Sequence, residues 1–121
     1  MSKGTVLVVD DQLLIVKLVL AILDGLDLTI MSANHPAQAM DLAAEHQGRI
    51  RLLITDLRMS GMSGDQLARE IRKYSPDLRV LFMSGEAIGD LNAAEAARCD
   101  FIAKPFSPAE LIRRVEALLA E

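Results

Sequence analysis

Short continuous runs of apolar residues alternate along the chain with longer segments in which apolar residues recur at helical spacing. The runs have the length of buried strands, and the longer segments have the length of helices. This alternation is typical of a parallel sheet with helices on both faces, because both faces of each strand are then buried. The pattern predicts strands at 5–10, 28–33, 52–56, 80–84 and 101–103, and helices at 12–23, 36–45, 64–74, 90–97 and 108–119.

Polar side chains stand where four of the five predicted strands end. They are Asp10 and Asp11 after the first strand, Asp56 at the end of the third, Ser84 at the end of the fourth, and Lys104 after the fifth. Ligands of open parallel sheets bind at the carboxyl ends of the strands, so we expect these side chains to converge. Crowded carboxylates repel one another unless a cation binds between them, and carboxylate oxygen suits Mg²⁺ or Mn²⁺. The sequence therefore predicts an acidic metal site.

This set of side chains is suited to phosphoryl chemistry. A carboxylate beside a metal ion can attack a phosphoryl group, and the metal neutralises charge on the phosphoryl oxygens. Lysine adds a second positive contact, and a serine hydroxyl can donate a hydrogen bond to a phosphate oxygen. Taken alone, Asp10 and Asp11 could instead cap the first helix, whose positive end favours carboxylates.

Composition limits the class of protein. The chain has 121 residues, 51% hydrophobic and 25% charged, which predicts one globular domain over 1–121. The net charge of -4 argues against nucleic-acid binding. The single Cys99 cannot form an internal disulfide. No signal peptide is apparent, and the apolar stretch 13–23 is too short to cross a membrane, so we expect a cytoplasmic protein.

Four motifs occur in order at the predicted strand ends. They are Val8-Val9-Asp10-Asp11, the segment 54–64 around Asp56, Met83-Ser84-Gly85 and Lys104-Pro105-Phe106. Together they make the chain resemble a response-regulator receiver domain of bacterial two-component signalling, from Thr5 to Leu119. The resemblance implies a flavodoxin-like (βα)₅ fold, a doubly wound five-stranded parallel sheet of strand order 2-1-3-4-5.

The resemblance also implies a role for each polar residue. Asp56 is the phosphoacceptor, Asp10 and Asp11 organise Mg²⁺ together with the backbone carbonyl of Arg58, and Ser84 and Lys104 contact the phosphoryl group. By this resemblance, the catalytic residues are Asp56, Lys104 and Ser84, and the metal ligands are Asp10, Asp11, Asp56 and Arg58.

Several positions surround this implied site. The aromatic switch of the family corresponds to Phe101, which lacks the tyrosine hydroxyl often found there. The Lys104–Pro105 bond is expected to be cis. Arg58 and Glu86 border the phosphoryl site in the family, and we predict that they pair across its mouth and slow hydrolysis. The family usually has proline where this chain has Ser60, a change expected to loosen the turn without touching the ligands.

The first helix is apolar throughout 13–23 except for Lys17. Lys17 should mark the outward face, and exposed apolar groups beside a cation form a docking surface. Receivers offer this helix to a sensor histidine kinase or histidine phosphotransfer protein, so Leu13, Val16 and Leu20 are predicted to dock such a partner. The alternative is that these residues pack on a neighbouring element or on a second copy.

The predicted function is therefore that of a phosphoacceptor in a two-component phosphorelay. Phosphorylation of Asp56 is expected to switch the face formed by the predicted fourth helix, the fifth strand and the last helix. The protein would act only on itself, without turnover of a separate substrate. Three alternatives stay open: an aspartate-nucleophile phosphohydrolase, a flavodoxin-like cofactor binder, and a receiver-like module that is not phosphorylated.

The two alternative activities fit the sequence less well. A hydrolase of that kind would carry its nucleophile on the first strand, and a flavin phosphate would be repelled by Asp10 and Asp11 unless a metal intervened. Because no output segment follows Glu121, signalling is expected to pass through a separate downstream protein. The motifs at 81–85 and 104–107 are similar to those of receivers in hybrid sensor kinases, so an excised domain is a further alternative.

Overall fold

A computed structural model describes residues 4–85 and 98–120. Five parallel strands form one sheet in the order β2-β1-β3-β4-β5. The strands are β1 Thr5–Val9, β2 Thr29–Ala33, β3 Ile50–Asp56, β4 Arg79–Ser84 and β5 Cys99–Ala103. The helices of the described residues are α1 Leu13–Leu23, α2 Pro36–Glu45, α3 Gly64–Arg72 and, last in the chain, α4 Pro108–Ala120.

The predicted fold class and strand order are confirmed. Each described element lies within two residues of its predicted bounds, and β3 and β5 each begin two residues earlier than predicted. The helix predicted at 90–97 lies outside the described residues. Among the helices that are described, none is both long enough and apolar enough to cross a membrane.

Alternate residues of the central strands build two cores, one on each face of the sheet. Val6 and Val8 of β1 face a core shared with α1 and α4. Leu7 and Val9 face a second core shared with α2 and α3. All four side chains are fully buried, which explains why the strand is apolar without alternation. The polar residues at the carboxyl ends of the strands are thereby held by a rigid sheet.

The exposed face of α1 differs from the prediction. Val16 is only 2% exposed, so the prediction that it docks a partner is wrong. Leu20 is partly buried against the core, and its part in docking stays a prediction. Lys17 is exposed as expected, but the exposed leucines near it are Leu13 (50%), Leu14 (80%) and Leu18 (46%). A helix turns 3.6 residues per turn, so residues 16, 19, 20 and 23 share its inner side. Because almost every residue of this helix is apolar, its sequence does not show which side faces the core.

Serine side chains cap two of the helices. Ser63 begins α3 with a capping box, in which its hydroxyl accepts from the Gln66 N–H and the Gln66 side chain accepts from the Ser63 N–H. At α4 the Ser107 hydroxyl accepts from the Glu110 N–H at 3.1 Å. The cap of α3 fixes the end of the loop that begins at Asp56.

Candidate metal centre

Three carboxylates meet at the carboxyl ends of β1 and β3. These strands are neighbours, and their register pairs Val9 with Thr55, so the next residues, Asp10 and Asp56, lie side by side. One carboxylate oxygen from each of Asp10, Asp11 and Asp56 lies within 4.8 Å of the other two. The structure thus brings together the three acids that the sequence predicted to converge.

Lys104 completes the cluster from the end of β5. Its Nζ donates to Asp10 Oδ2 at 2.9 Å and lies 3.5 Å from Asp56 Oδ1. Asp10 is fully buried, whereas 13% of the Asp56 side chain is exposed. One ammonium group stands against three carboxylates, so the cluster keeps an excess of negative charge. Mg²⁺ prefers hard oxygen donors with excess negative charge, and the residues of this cluster provide them.

The pKa of Asp56 reflects the same crowding. Burial raises it above its ordinary value, and the neighbouring Asp10 charge raises it further. The Lys104 ammonium and the backbone N–H of Arg58 act in the opposite direction without cancelling the effect. The ionised form of Asp56 is therefore destabilised in the metal-free protein, and a bound cation would relieve it.

Asp10 does not serve as a helix cap in the usual way. Its Oδ1 accepts from the Gln12 N–H at 2.9 Å, but α1 begins after Gln12, which caps the helix with no side-chain hydrogen bond. The second Asp10 oxygen is held by Lys104. The capping alternative for this acid is thus less suited to the geometry than the metal site.

A cavity of about 340 Å³ opens beside the carboxylates. Ser84, which is almost fully buried, stands at the end of β4, and its carbonyl accepts from the Lys104 N–H at 2.8 Å. The Lys104–Pro105 bond is cis, as expected. The lining residues are Gln12, Asp56, Arg58, Ser84, Gly85 and Lys104. The cavity therefore joins the acid, hydroxyl and ammonium groups predicted to contact a phosphoryl group.

The positions at the border of the site have different outcomes. Arg58 is exposed and lines the cavity, but Glu86 lies outside the described residues, so their pairing stays a prediction. The Arg58 carbonyl as a metal ligand is also a prediction. Phe101 is partly buried, and its ring stacks on that of Phe82 with centroids 5.4 Å apart. This contact ties the predicted switch residue to the strand that carries Ser84.

The loop after Asp56 contacts the acids, contrary to the sequence-based expectation for Ser60. The Ser60 N–H donates to Asp11 Oδ2 at 3.4 Å, a long hydrogen bond. Proline has no N–H, so this contact exists only because the chain departs from the family here. No sequence pattern indicates this contact, because 49 residues separate the two partners in the chain.

Two further residues shape the site from behind. A Cβ on Gly64 would lie 2.2 Å from the backbone oxygen of Asp56, so only glycine lets α3 approach this closely. The buried Thr55 hydroxyl donates to that same oxygen at 3.0 Å. Gly64 stood in the motif around Asp56, and that was the one signal in the sequence for its role.

The model of the family described as response regulator receiver domain matches residues 6–116 of the chain. The chain belongs to the response-regulator receiver family. Receiver domains act in two-component signalling, where they interact with histidine kinases or phosphotransfer proteins, and they generally bind Mg²⁺ in an acidic pocket. In this receiver the corresponding pocket is the cluster of Asp10, Asp11 and Asp56.

Individual relatives agree with this assignment. The receiver is 35% identical over 119 residues to the transcriptional regulatory protein ResD of Bacillus subtilis (strain 168), a match that covers 98% of the chain and 49% of ResD. It is 31% identical over 120 residues to the sensor kinase CckA of Brucella abortus (strain 2308), covering 98% of the chain and 13% of CckA. The chain therefore spans about half of the first relative and a small part of the second.

A solved structure shows the same fold. The receiver domain of the hybrid histidine kinase CckA superimposes with a TM-score of 0.83 at 28% identity. The match covers 96% of this chain and 99% of that one. The flavodoxin-like arrangement predicted from the sequence is thus shared by a known receiver.

Proposed function

We propose that this receiver accepts a phosphoryl group on Asp56 from the phosphohistidine of a histidine kinase or phosphotransfer protein, in a Mg²⁺-dependent reaction. The observation that carries the proposal is the convergence of three carboxylates with Lys104 beside a cavity open to solvent. Asp56 is the acid of this cluster that lines the cavity, and it carries part of its side chain on the surface. An incoming phosphoryl group can therefore reach it.

The other residues would hold the metal and prepare the transfer. Asp10 and Asp11, with the carbonyl of Arg58, are the proposed ligands of Mg²⁺. When bound, Mg²⁺ would neutralise negative charge on the phosphoryl oxygens. An oxygen of Asp56 attacks phosphorus, the new O–P bond replaces the N–P bond of the phosphohistidine, and the histidine nitrogen keeps the electron pair. Lys104, 3.5 Å from Asp56 Oδ1, stands close enough to pair with the transferred group.

The proposed switch follows from the new charge. The hydroxyl of Ser84 would donate to a phosphoryl oxygen, and Phe101 would then move into the space that the serine leaves. Phe101 lies beside Phe82 on the strand that ends in Ser84, so the two movements are mechanically linked. The surface read by the downstream protein would include β5 and α4. The reaction changes the protein itself, so we propose no turnover of a separate substrate.

Intact mass measures the central step. Incubation of the purified protein with Mg²⁺ and acetyl phosphate should add the mass of one phosphoryl group to the wild type and none to Asp56→Asn. Asp41→Asn, a change on the exposed side of α2, is the matched control and should behave as wild type. A phosphoryl adduct of equal yield in Asp56→Asn would contradict the assignment. Release of phosphate far in excess of protein from a small phosphate ester would favour a phosphohydrolase.

The exposed leucines of α1 are the proposed contact for the phosphodonor protein. Leu13, Leu14 and Leu18 are apolar side chains at the surface, and Leu13 also borders a cavity with Gln38 of α2. The double change Leu14→Glu/Leu18→Glu should slow transfer from a phosphohistidine protein by at least tenfold, a loss of about 1.4 kcal/mol. Phosphorylation by acetyl phosphate should not change, since that donor needs no docking. Equal slowing with both donors would contradict the docking role.

A further inference from the structure

The strand β5 is the last in the order of the sheet, so one side of its backbone has no neighbouring strand among the described residues. On the other side, the Arg98 carbonyl accepts from the Val80 N–H at 3.0 Å, and the Lys104 N–H donates to the Ser84 carbonyl at 2.8 Å. Backbone groups of successive residues in a strand point to alternate sides. Phe101 lies three residues from both Arg98 and Lys104, so its N–H and carbonyl point to the open side.

Two side chains bond these backbone groups of Phe101. Asp100 Oδ1 accepts from the Phe101 N–H at 2.8 Å, and Arg114 Nη1 donates to the Phe101 carbonyl at 2.9 Å. The same Arg114 nitrogen also donates to Asp100 Oδ1 at 2.9 Å. One ion pair, Asp100 with Arg114 and here called the clamp, therefore holds both backbone groups of the predicted switch residue.

The ring of Phe101 and the helix α4 lie on opposite faces of the sheet. The ring packs with Phe82 in the core that α2 and α3 share. The helix α4 places Leu111 and Val115 in the other core, which it shares with α1. Because the sheet lies between them, a movement of the ring does not reach α4 by direct packing. The clamp joins the two faces, since Arg114 extends from α4 to the open edge and bonds the Phe101 backbone there.

Arginine is suited to this position. Its planar guanidinium carries several N–H donors in a fixed geometry, so one side chain can bond more than one acceptor at once. While Nη1 bonds Asp100 and the Phe101 carbonyl, Nη2 donates to Glu110 Oε1 at 3.2 Å. The hydrogen bond to Asp100 raises the pKa of Arg114 above its usual value. The side chains of Arg114 and Asp100 are 33% and 37% exposed, so the clamp is expected to orient the backbone more than to stabilise the fold.

We propose that Arg114 is a positioning residue for the switch, and that with Asp100 it couples Phe101 to α4. When the ring moves, the backbone that carries it shifts, and the guanidinium bonded to that backbone shifts with it. This inference rests on the proposed function, in which phosphorylation of Asp56 moves Phe101. The clamp would then carry the state of the phosphoryl site to the helix on the other face of the sheet.

Amide NMR with and without phosphorylation tests the coupling. Excess acetyl phosphate and Mg²⁺ should shift the amides of Phe101, Leu111 and Val115 in the wild type. In Arg114→Gln the shift at Phe101 should remain, whereas the shifts at Leu111 and Val115 should become severalfold smaller. Intact mass should show the same phosphoryl adduct in both proteins, because the hydrogen bonds of Arg114 lie outside the acidic cluster.

Further variants separate coupling from a loss of one charge. Asp100→Asn removes the carboxylate charge but keeps an oxygen that can accept from the Phe101 N–H, and it should reduce the shifts in α4 as Arg114→Gln does. The double variant should reduce them no further, because the two residues act as one pair. Arg113→Gln, which alters the neighbouring exposed arginine of α4, is the matched control and should respond as wild type.

The possible outcomes are distinct. Shifts at Leu111 and Val115 as large in Arg114→Gln as in wild type, with the adduct present, would overturn the inference and leave the proposed function intact. A loss of stability in denaturant unfolding without a change in these shifts would also overturn it, since the clamp would then be only structural. Absence of the adduct from the wild type would overturn the proposed function, and the inference with it.

Discussion

The two ends of the sheet carry cavities of about the same volume, 340 Å³, in different surroundings. One opens beside the acidic cluster at the carboxyl ends of the strands, here the carboxyl edge, and the other lies at the amino ends of β3 and β4, here the amino edge. At the carboxyl edge, three carboxylates surround one lysine. At the amino edge, two arginines line a cavity with one exposed carboxylate. The overall charge of -4 therefore does not describe the lining of either cavity. A net charge describes the whole protein, whereas a binding site responds to the charges that line it.

The two edges also differ in the regularity of their backbone and in the hydrogen bonding of their buried hydroxyls. At the carboxyl edge, α3 approaches β3 so closely that the Asp56 carbonyl leaves no space for a Cβ on Gly64. The Thr55 hydroxyl donates to the same carbonyl. At the amino edge, a bulge interrupts β3, and the Ser75 hydroxyl lacks a partner among the described residues. The comparison predicts that changes at the first edge cost stability and that some changes at the second do not.

The largest effect is expected for Gly64→Ala. Its Cβ would lie 2.2 Å from the Asp56 backbone oxygen, so β3 and α3 must separate. Overpacking of this kind should lower the free energy of unfolding by about 3 kcal/mol and slow phosphorylation by displacing Asp56. Denaturant unfolding measures the first effect and intact mass the second.

Gly25→Ala is the matched control for that change. A Cβ at Gly25 would meet no atom within 4 Å, so the variant should be as stable as wild type or slightly more stable. If the two variants lose the same stability, the close approach at the carboxyl edge is not the cause.

The carboxyl edge was the part of the molecule that sequence could predict. The pattern of apolar runs predicted the ends of the strands, and parallel strands end on one side of the sheet. The convergence of the polar residues at or just after those ends, Asp10, Asp56, Ser84 and Lys104, could therefore be predicted from this pattern. The Ser60 contact with Asp11 could not be predicted in this way. It depends on how the loop after Asp56 folds back over the site, and loop paths have no periodicity.

Binding of Mg²⁺ should stabilise the carboxyl edge. A ligand that binds only the folded state adds about 2.7 kcal/mol to the free energy of unfolding at a concentration of 100 Kd. Asp11→Asn should lose most of this gain, because it removes a proposed ligand without opening the core. Asp41→Asn, on the exposed side of α2, should keep it. Thermal unfolding with and without Mg²⁺ would contradict the site if both variants kept the full gain.

The raised pKa of Asp56 predicts a stability difference that depends on pH. A carboxyl whose pKa is raised by folding favours the folded state below its ordinary value of 3.8, and that contribution is lost as pH rises through the folded pKa. Asp56→Asn should therefore be more stable than wild type at neutral pH without metal. The difference should shrink towards acid pH. A gain that is constant with pH would point to packing instead of charge.

Two buried hydroxyls compare the edges directly. Thr55→Val removes a hydroxyl that donates at 3.0 Å and should lower the free energy of unfolding by about 1 kcal/mol. Ser75→Ala removes a hydroxyl without a described partner and should raise it by up to about 1 kcal/mol. Denaturant unfolding at equal m-values measures both. Destabilisation by Ser75→Ala would show that its hydroxyl is already satisfied in the free protein.

The amino edge and the face of α1 escaped sequence analysis for different reasons. Arginines at strand starts, such as Arg51 and Arg79, are usual surface residues, and nothing in their spacing indicates a shared cavity. In α1, apolar residues lie on both sides of Lys17, so the sequence did not show which of them are exposed. The prediction included Leu20, which is partly buried, and missed the more exposed Leu18, because the rotation of the helix is set by its packing on the sheet. The sequence pattern indicates the rotation of a helix about its axis only where polar residues interrupt the apolar stretch.

The smallest expected effect belongs to Ser60. Ser60→Pro removes the N–H that contacts Asp11 Oδ2 at 3.4 Å, whereas Ser60→Ala keeps it and serves as the matched control. The bond is long and exposed, so it orients Asp11 only weakly, and its loss should reduce Mg²⁺ affinity about two- to threefold, or about 0.5 kcal/mol. Titration calorimetry with Mg²⁺ measures this difference. Proline is usual at this position in the family, so we expect the loop to accept the ring, and a change in affinity would then report the lost N–H. Equal affinity in the two variants would show that the Ser60 N–H does not orient Asp11.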